Sequence, residues 1–202
     1  MTSIFHIFDP MIIIKTLGLI GVLIIVFAES GLFFGFFFPG DSLLFTAGFL
    51  ASQNYLNISI LVFGAFICAV LGDSVGYWFG RKVGPKIFTK EDSIFFHKKH
   101  IERAQNFYNK YGNKTIFLAR FVPIVRTFAP IVAGVGQMKY KNFLTYNIFG
   151  GFVWTFGMVF GGYFLGQIIP GIDKYILPII LIIIVVSFLP IIFETYKARR
   201  AK

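Results

Sequence analysis

Two of the six apolar stretches in this chain are broken near their centres by proline, and both breaks lie close to charged residues. The six stretches are residues 10–28, 30–51, 58–80, 115–138, 143–169 and 176–193. The first interruption is Pro39-Gly40-Asp41, and the second runs through Arg120, Pro123, Arg126 and Pro130. Apolar runs of about 18 residues or more read as helical membrane spans, because hydrocarbon leaves a backbone group no partner outside its own segment. A break at that depth is tolerated only against protein or water, so each proline marks a buried or hydrated site. Composition agrees with a membrane class: 56% of residues are hydrophobic and only 14% charged, where soluble domains run nearer a quarter charged.

The net charge of +10 does not indicate a nucleic-acid partner, because the cations are concentrated in two places. Residues 81–114 carry nine Lys/Arg against Glu91, Asp92 and Glu102, and the tail from Tyr196 adds four. Both segments therefore read as cytoplasmic. That assignment imposes a parity condition. Stretches 143–169 and 176–193 already supply the two crossings between the basic segments, so 115–138 enters and leaves on one side. By the same count 10–28 crosses from the inside, and 30–51 dips from the outside and returns. The legs of this first dip, 30–38 and 42–51, have nine and ten residues. Half a hydrocarbon core is about 15 Å, or about ten helical residues.

An internal repeat accompanies this layout. The segment 72–80 (GDSVGYWFG) resembles 157–166 (GMVFGGYFLG), and each follows a glycine, Gly48 or Gly134, by 24 or 23 residues. The expected fold is an all-α integral membrane protein with an inverted-topology repeat, two opposed re-entrant helical hairpins and transmembrane helices. It forms a single membrane domain over 1–202. The first repeat is 10–80, with its hairpin near 30–51. A basic cytoplasmic connector, 81–114, carries an amphipathic helix along Ile94, Ile101, Ala104, Phe107 and Tyr111. The second repeat is 115–169, with its hairpin near 115–138, and 176–193 is a C-terminal transmembrane helix.

Glu29, Asp41, Arg120 and Arg126 are the charges that these stretches cannot easily deliver to water. Lys15 lies near a span end and snorkels. Asp73 lies seven residues from the basic connector, within reach of the interface, and is retained as a third acidic partner. In one continuous helix Glu29 and Asp41 would stand about 18 Å apart; the Pro39-Gly40 break lets them converge, and Pro123 and Pro130 do the same for the arginines. Intramembrane charges nearly always pair, so one reading is a structural ion-pair set holding the hairpins together. The other is a site for an anionic headgroup, since the arginine fork binds phosphate bidentately and stays protonated. Asp41 or Ser42 could cap a helix returning from the first break, and Thr127 with Pro130 suggests a second N-terminus, which adds positive potential. Burial favours a protonated carboxylate and a neighbouring arginine an ionised one, so Glu29, Asp41 and Asp73 are candidates for proton coupling. Asn147 and Trp154 are candidate cavity residues.

The segments FAESGLFFGFFFPGDSLLFTAGFLA and YGNKTIFLARFVPIVRTFAPIVAGVG resemble the two signature regions of DedA membrane proteins, which share a domain with eukaryotic VTT proteins. The shared pattern is an acid, a second acid twelve residues on after Pro-Gly, and then Arg-Phe-x-Pro-x-x-Arg. It falls on Glu29, Asp41, Arg120 and Arg126, with Asp41 where many members have Glu. The resemblance implies opposed re-entrant hairpins and lipid translocation, for example of undecaprenyl phosphate or phosphatidylethanolamine, with links to the proton-motive force. It does not choose between those substrates.

The expected activity is flippase- or scramblase-like movement of a phosphate-headgroup lipid across the plasma (inner) membrane, with opening that alternates between hairpins. A proton- or cation-coupled small-solute carrier and a structural assembly factor are the alternatives. No catalytic set, P-loop or zinc motif is visible, so enzyme chemistry and a cofactor are not expected. His97 and His100, set among lysines, make a poor metal site. The lone Cys68 excludes an internal disulfide. The N-terminus lacks a basic leader and reads as retained. Gly72, Gly76 and Gly80, like Gly157 and Gly161, form ridges for close packing within the monomer or, second, across a homodimer.

Overall fold

The computed structural model describes residues 10–32, 35, 39–87, 112 and 114–168. Among them are six helices and no strand: α1 (Pro10–Gly31), α2 (Gly40–Ser52), α3 (Ile58–Ile87), α4 (Lys114–Ala119), α5 (Pro123–Val135) and α6 (Tyr140–Ile168). Three stretches are long and apolar enough to cross a membrane: Pro10–Gly31, Ile58–Val83 and Tyr140–Ile168. The 13-residue α2 and α5 are each about 20 Å long, short of a hydrocarbon core of about 30 Å. The C-terminal helix expected at 176–193 and the amphipathic helix expected within 81–114 lie outside the described residues, apart from 81–87, which extend α3.

Local chemistry sets the helix ends. Pro123 occupies the first turn of α5, where its missing N–H costs nothing, and Val122 before it is extended (φ −118°, ψ 107°). Pro39 precedes α2, and its carbonyl accepts from Leu43 N at 2.8 Å. Asn57 Oδ1 accepts from Ile60 N at 3.1 Å and so caps α3. Asn54 (φ 61°) and Gln137 (φ 53°) take left-handed conformations in the α2–α3 and α5–α6 turns. Gly18, at φ 62° and ψ −155°, breaks α1 into two helical segments.

Side-by-side contacts orient the helices. Gly64 meets Leu23 and Gly31 meets Gly72, at one constant offset, so the later part of α1 runs parallel to α3 and ends beside its midpoint. That register puts Gly18 level with the first turn of α3. Trp154 bonds Asp41, and Ser52 packs on Gly166, so α2 runs parallel to α6. Pro130 packs on Gly76, and Gly134 on the Tyr77 carbonyl, so α5 runs parallel to α3. Helices α3 and α6 are antiparallel, with Phe66 against Phe152 and Phe156, and Tyr77 stacked on Phe143.

Two expectations change here. The predicted boundary at 28–30 falls inside α1, which is helical through Glu29 to Gly31. The later part of α1 runs alongside α3 in the same direction, and Gly18, with its left-handed backbone, separates that part from the first turns. The second change concerns the repeat. A Cβ on Gly48 would strike the Val159 carbonyl and one on Gly162 the Phe45 carbonyl, while Gly80 meets the Ile131 carbonyl and Gly134 that of Tyr77. Contacts thus match Gly48 with Gly134 and Gly162 with Gly80, one helical turn away from the pairing of Gly80 with Gly166 suggested by letters. The Gly72–Gly76–Gly80 ridge is spent within the chain, on α1 and α5. Gly157 has nothing within 4 Å and Gly161 meets only the Phe45 ring, so the close approach on α6 belongs to Gly162.

Replacing Gly48 or Gly162 with Ala should push α2 off α6 and cost about 1–3 kcal/mol. Gly157→Ala, facing open space, should stay within about 0.5 kcal/mol of the parent. Thermal unfolding of the detergent-solubilised protein measures both, and equal losses at the three positions would contradict the packing described.

Candidate functional site

The ends of α1, α2, α4 and α5 meet the middles of α3 and α6 in one buried polar cluster. Arg126, in the second turn of α5, divides its fork between two helices. Its NH1 donates to Asp41 Oδ1 on α2 at 2.7 Å, and its NH2 donates to Glu29 Oε1 on α1. Trp154 Nε1 donates to the same Asp41 oxygen at 2.7 Å, and the Arg126 guanidinium lies 4.5 Å from the indole centroid. Arg120, just past α4, lies 5.7 Å from that indole. Its NH2 donates to Asp73 Oδ2 on α3 and to Asn147 Oδ1 on α6. Asn147 Nδ2 donates to the Val70 carbonyl at 3.0 Å, which ties α6 to α3 at the same level.

Burial makes these bonds consequential. Glu29, Asp73, Arg120 and Arg126 are each no more than 4% exposed, so neither water nor counterions screen them. A Cβ at position 40 would collide with the Glu29 carboxylate, so glycine there is what allows Glu29 and the start of α2 to share one space. Several buried polar atoms have no hydrogen-bond partner: Glu29 Oε2, Asp73 Oδ1, Arg120 NH1, Arg126 Nε, and the hydroxyls of Ser30, Thr46 and Thr127. A buried set with unmet donors and acceptors has capacity for a further polar group.

The structure brings together most of the residues singled out from sequence and changes the partners of some. Glu29 and Asp41 do converge on an arginine, but on Arg126 alone. Arg120 pairs instead with Asp73, which is buried at 3% exposure. The cluster therefore holds three carboxylates against two guanidiniums. Asp73 sits mid-helix on α3, level with the end of α1, because α3 is 30 residues long and continues well past it. Neither Asp41 nor Ser42 caps α2: no side chain does, Asp41 faces Arg126 and Trp154, and Ser42 Oγ donates to the Pro39 carbonyl at 3.0 Å. Thr127 and Pro130 lie inside α5 rather than at its start, since the helix already begins at Pro123. Pro130 leaves the Arg126 carbonyl without its helical donor. Asn147 and Trp154 are fully part of the cluster. Sequence reasoning missed Ser30 and Thr46, whose only signal is a hydroxyl within a strongly apolar run.

Residues 38–164, more than half of the chain, match the VTT domain. Protein DedA of Escherichia coli K12 is 46% identical over 180 residues, covering 88% of this chain and 82% of that protein. An uncharacterized membrane protein of Mycobacterium tuberculosis is 43% identical over 209 residues, covering the whole chain and 91% of its own length. One from Synechocystis is 36% identical across 65% of this chain. No solved structure matches. The fold and the buried charges define a polytopic helical membrane protein with an intramembrane ionic site. The chain belongs to the DedA family of VTT-domain membrane proteins.

Breaking one partner of the Arg120–Asp73 pair, by Asp73→Leu or Arg120→Met, should destabilise by about 3–5 kcal/mol, because the other charge stays buried. The double variant should recover most of that loss. A thermal double-mutant cycle in detergent decides: strictly additive losses would mean that the two residues do not pair.

Proposed function

We propose that the chain moves a lipid with a phosphate headgroup across the inner (plasma) membrane, the headgroup exchanging with Glu29 and Asp41 for the Arg126 fork. The observation that carries this reading is that fork, divided between two carboxylates and covered by Trp154 deep in an apolar protein. Two half-length helices, α2 and α5, start at this level and run to opposite ends of the bundle, so both N-termini face the cluster. In a bilayer, residues 19–52 then form a hairpin entering from the end where α3 begins, and residues 114–135 one entering from the other end. The contact pairing of Gly48 with Gly134 and Gly162 with Gly80 supports an inverted repeat around the cluster. With the connector and the tail inside, the end at which α3 finishes is cytoplasmic.

The charge count favours proton coupling. With all five groups ionised the cluster carries one net negative charge, an unfavourable host for an anion. Protons on Glu29 and Asp41 would release the Arg126 donors and give the site a net positive charge. Headgroup binding should thus take up protons and tighten as pH falls. A passive structural role is the competing reading, favoured by the two carboxylates that already hold the Arg126 fork.

Labelled polyprenyl phosphate and phosphatidylethanolamine in proteoliposomes, with and without a pH gradient, test the proposal. Arg126→Lys keeps charge but loses the fork, and should lower transbilayer movement at least tenfold; unchanged rates would leave the structural reading. Glu29→Gln and Asp41→Asn should retain headgroup binding while losing its dependence on pH. Full proton dependence in both variants would remove the coupling from the proposal.

A further inference from the structure

Helix α3 carries an outward row of side chains that no described residue covers. Leu71, Val75, Trp78 and Phe79 are 45–53% exposed, and Lys82 is exposed one turn further on. Steps of three and four place them on one face of the helix. At the end of that row the structure builds a fixed arrangement of rings and cations. Tyr77 is fully buried, donates its hydroxyl to the Met138 carbonyl and accepts from Arg81 NH1 at 2.7 Å. The Arg81 guanidinium lies 5.7 Å from the Trp78 ring centroid, and Tyr140 lies 5.4 Å from the same ring. Lys139 and Lys141 flank Tyr140 and are exposed.

At this end the charge among the described residues is positive. Among the described residues the carboxylates are Glu29, Asp41 and Asp73, and all three belong to the central cluster. Arg81, Lys82, Lys139 and Lys141 are exposed and have no described acid beside them. An arginine held by tyrosine over an exposed indole, at the edge of an apolar row, suits an amphiphile with a negative head. A nucleic acid or acidic protein would leave the apolar row unused.

We propose that this end of α3 binds an anionic phospholipid of the surrounding leaflet. Its acyl chain lies along Leu71, Val75 and Phe79, and its phosphate meets Arg81, Lys82, Lys139 and Lys141, with Trp78 at the headgroup level. The site is separate from the central cluster, whose charges are buried, and does not depend on the transport reading.

Tryptophan fluorescence tests it, because the chain has two tryptophans and Trp154 is buried at 3% exposure. The full-length protein is reconstituted in vesicles that contain brominated phosphatidylglycerol or brominated phosphatidylcholine at equal mole fraction. Phosphatidylglycerol should quench with an apparent affinity about fivefold or more above that of phosphatidylcholine, by the electrostatics of even one juxtamembrane cation. Trp78→Phe should abolish the quenching, and Arg81→Gln with Lys139→Gln and Lys141→Gln should abolish the preference, with circular dichroism unchanged. Equal quenching by the two lipids, quenching that survives Trp78→Phe, or a preference that survives the triple substitution would overturn the proposal. So would displacement of the lipid by millimolar glycerol phosphate, which would mark a site for a soluble anion.

Discussion

The guanidinium of Arg126, shared by Glu29 and Asp41, is the interaction on which the architecture depends. A lone charge at this depth is costly, and pairing is the available remedy. Meeting that demand draws α1, α2 and α5 to one point, and Trp154 brings in α6 by bonding the same Asp41 oxygen. Other features follow from it. Position 40 has to be glycine because the Glu29 carboxylate occupies the space of a side chain. Both proline breaks lie where a helix must stop so that its first turns can face the charges. The second pair, Arg120 with Asp73, repeats the solution next to it and leaves the whole with one carboxylate in excess.

Much of this was legible from residue type and spacing. A bilayer forbids charges without partners, so four buried ionisable residues in two interrupted stretches had to meet. The breaks were legible because proline is best tolerated at the start of a helix, where Pro39 and Pro123 stand. Pairing was less legible. Asp73 is seven residues from a basic segment, and distance along the chain does not reveal that α3 continues as helix past it to Ile87. Arg120 and Arg126 look equivalent in sequence, and only the three-dimensional register gives Arg120 to Asp73. Gly18 was invisible because a glycine in an apolar helix is usually tolerated; here its backbone angle ends the deep part of α1. The glycine contacts were not legible, since glycines recur at every fourth position and letters alone cannot select among them.

Packing also changes how motion is pictured. Neither short helix lies mainly against its own half of the chain: α2 packs most closely on α6, and α5 on α3. Gly48 and Gly162 close the first of these contacts by backbone approach, and Gly80 and Gly134 the second. Neither short helix can move by itself without opening such a contact. The seam that remains passes through the ionic cluster, where Asp41 and Trp154 on one side meet Arg126 on the other.

This crossed packing bears on how the chain is made. Gly48 packs on the Val159 carbonyl, more than a hundred residues downstream, and both arginines of the cluster also lie in the later half. A ribosome delivers Glu29, Asp41 and Asp73 to the membrane before any of their cations exist. Until α4, α5 and α6 emerge, the nascent first half carries three acids in an apolar setting, kept neutral by protons or waiting near the translocon's water. Completion of the ion pairs is therefore a late step of biogenesis, and a chain stopped before Arg120 has no means of reaching this fold.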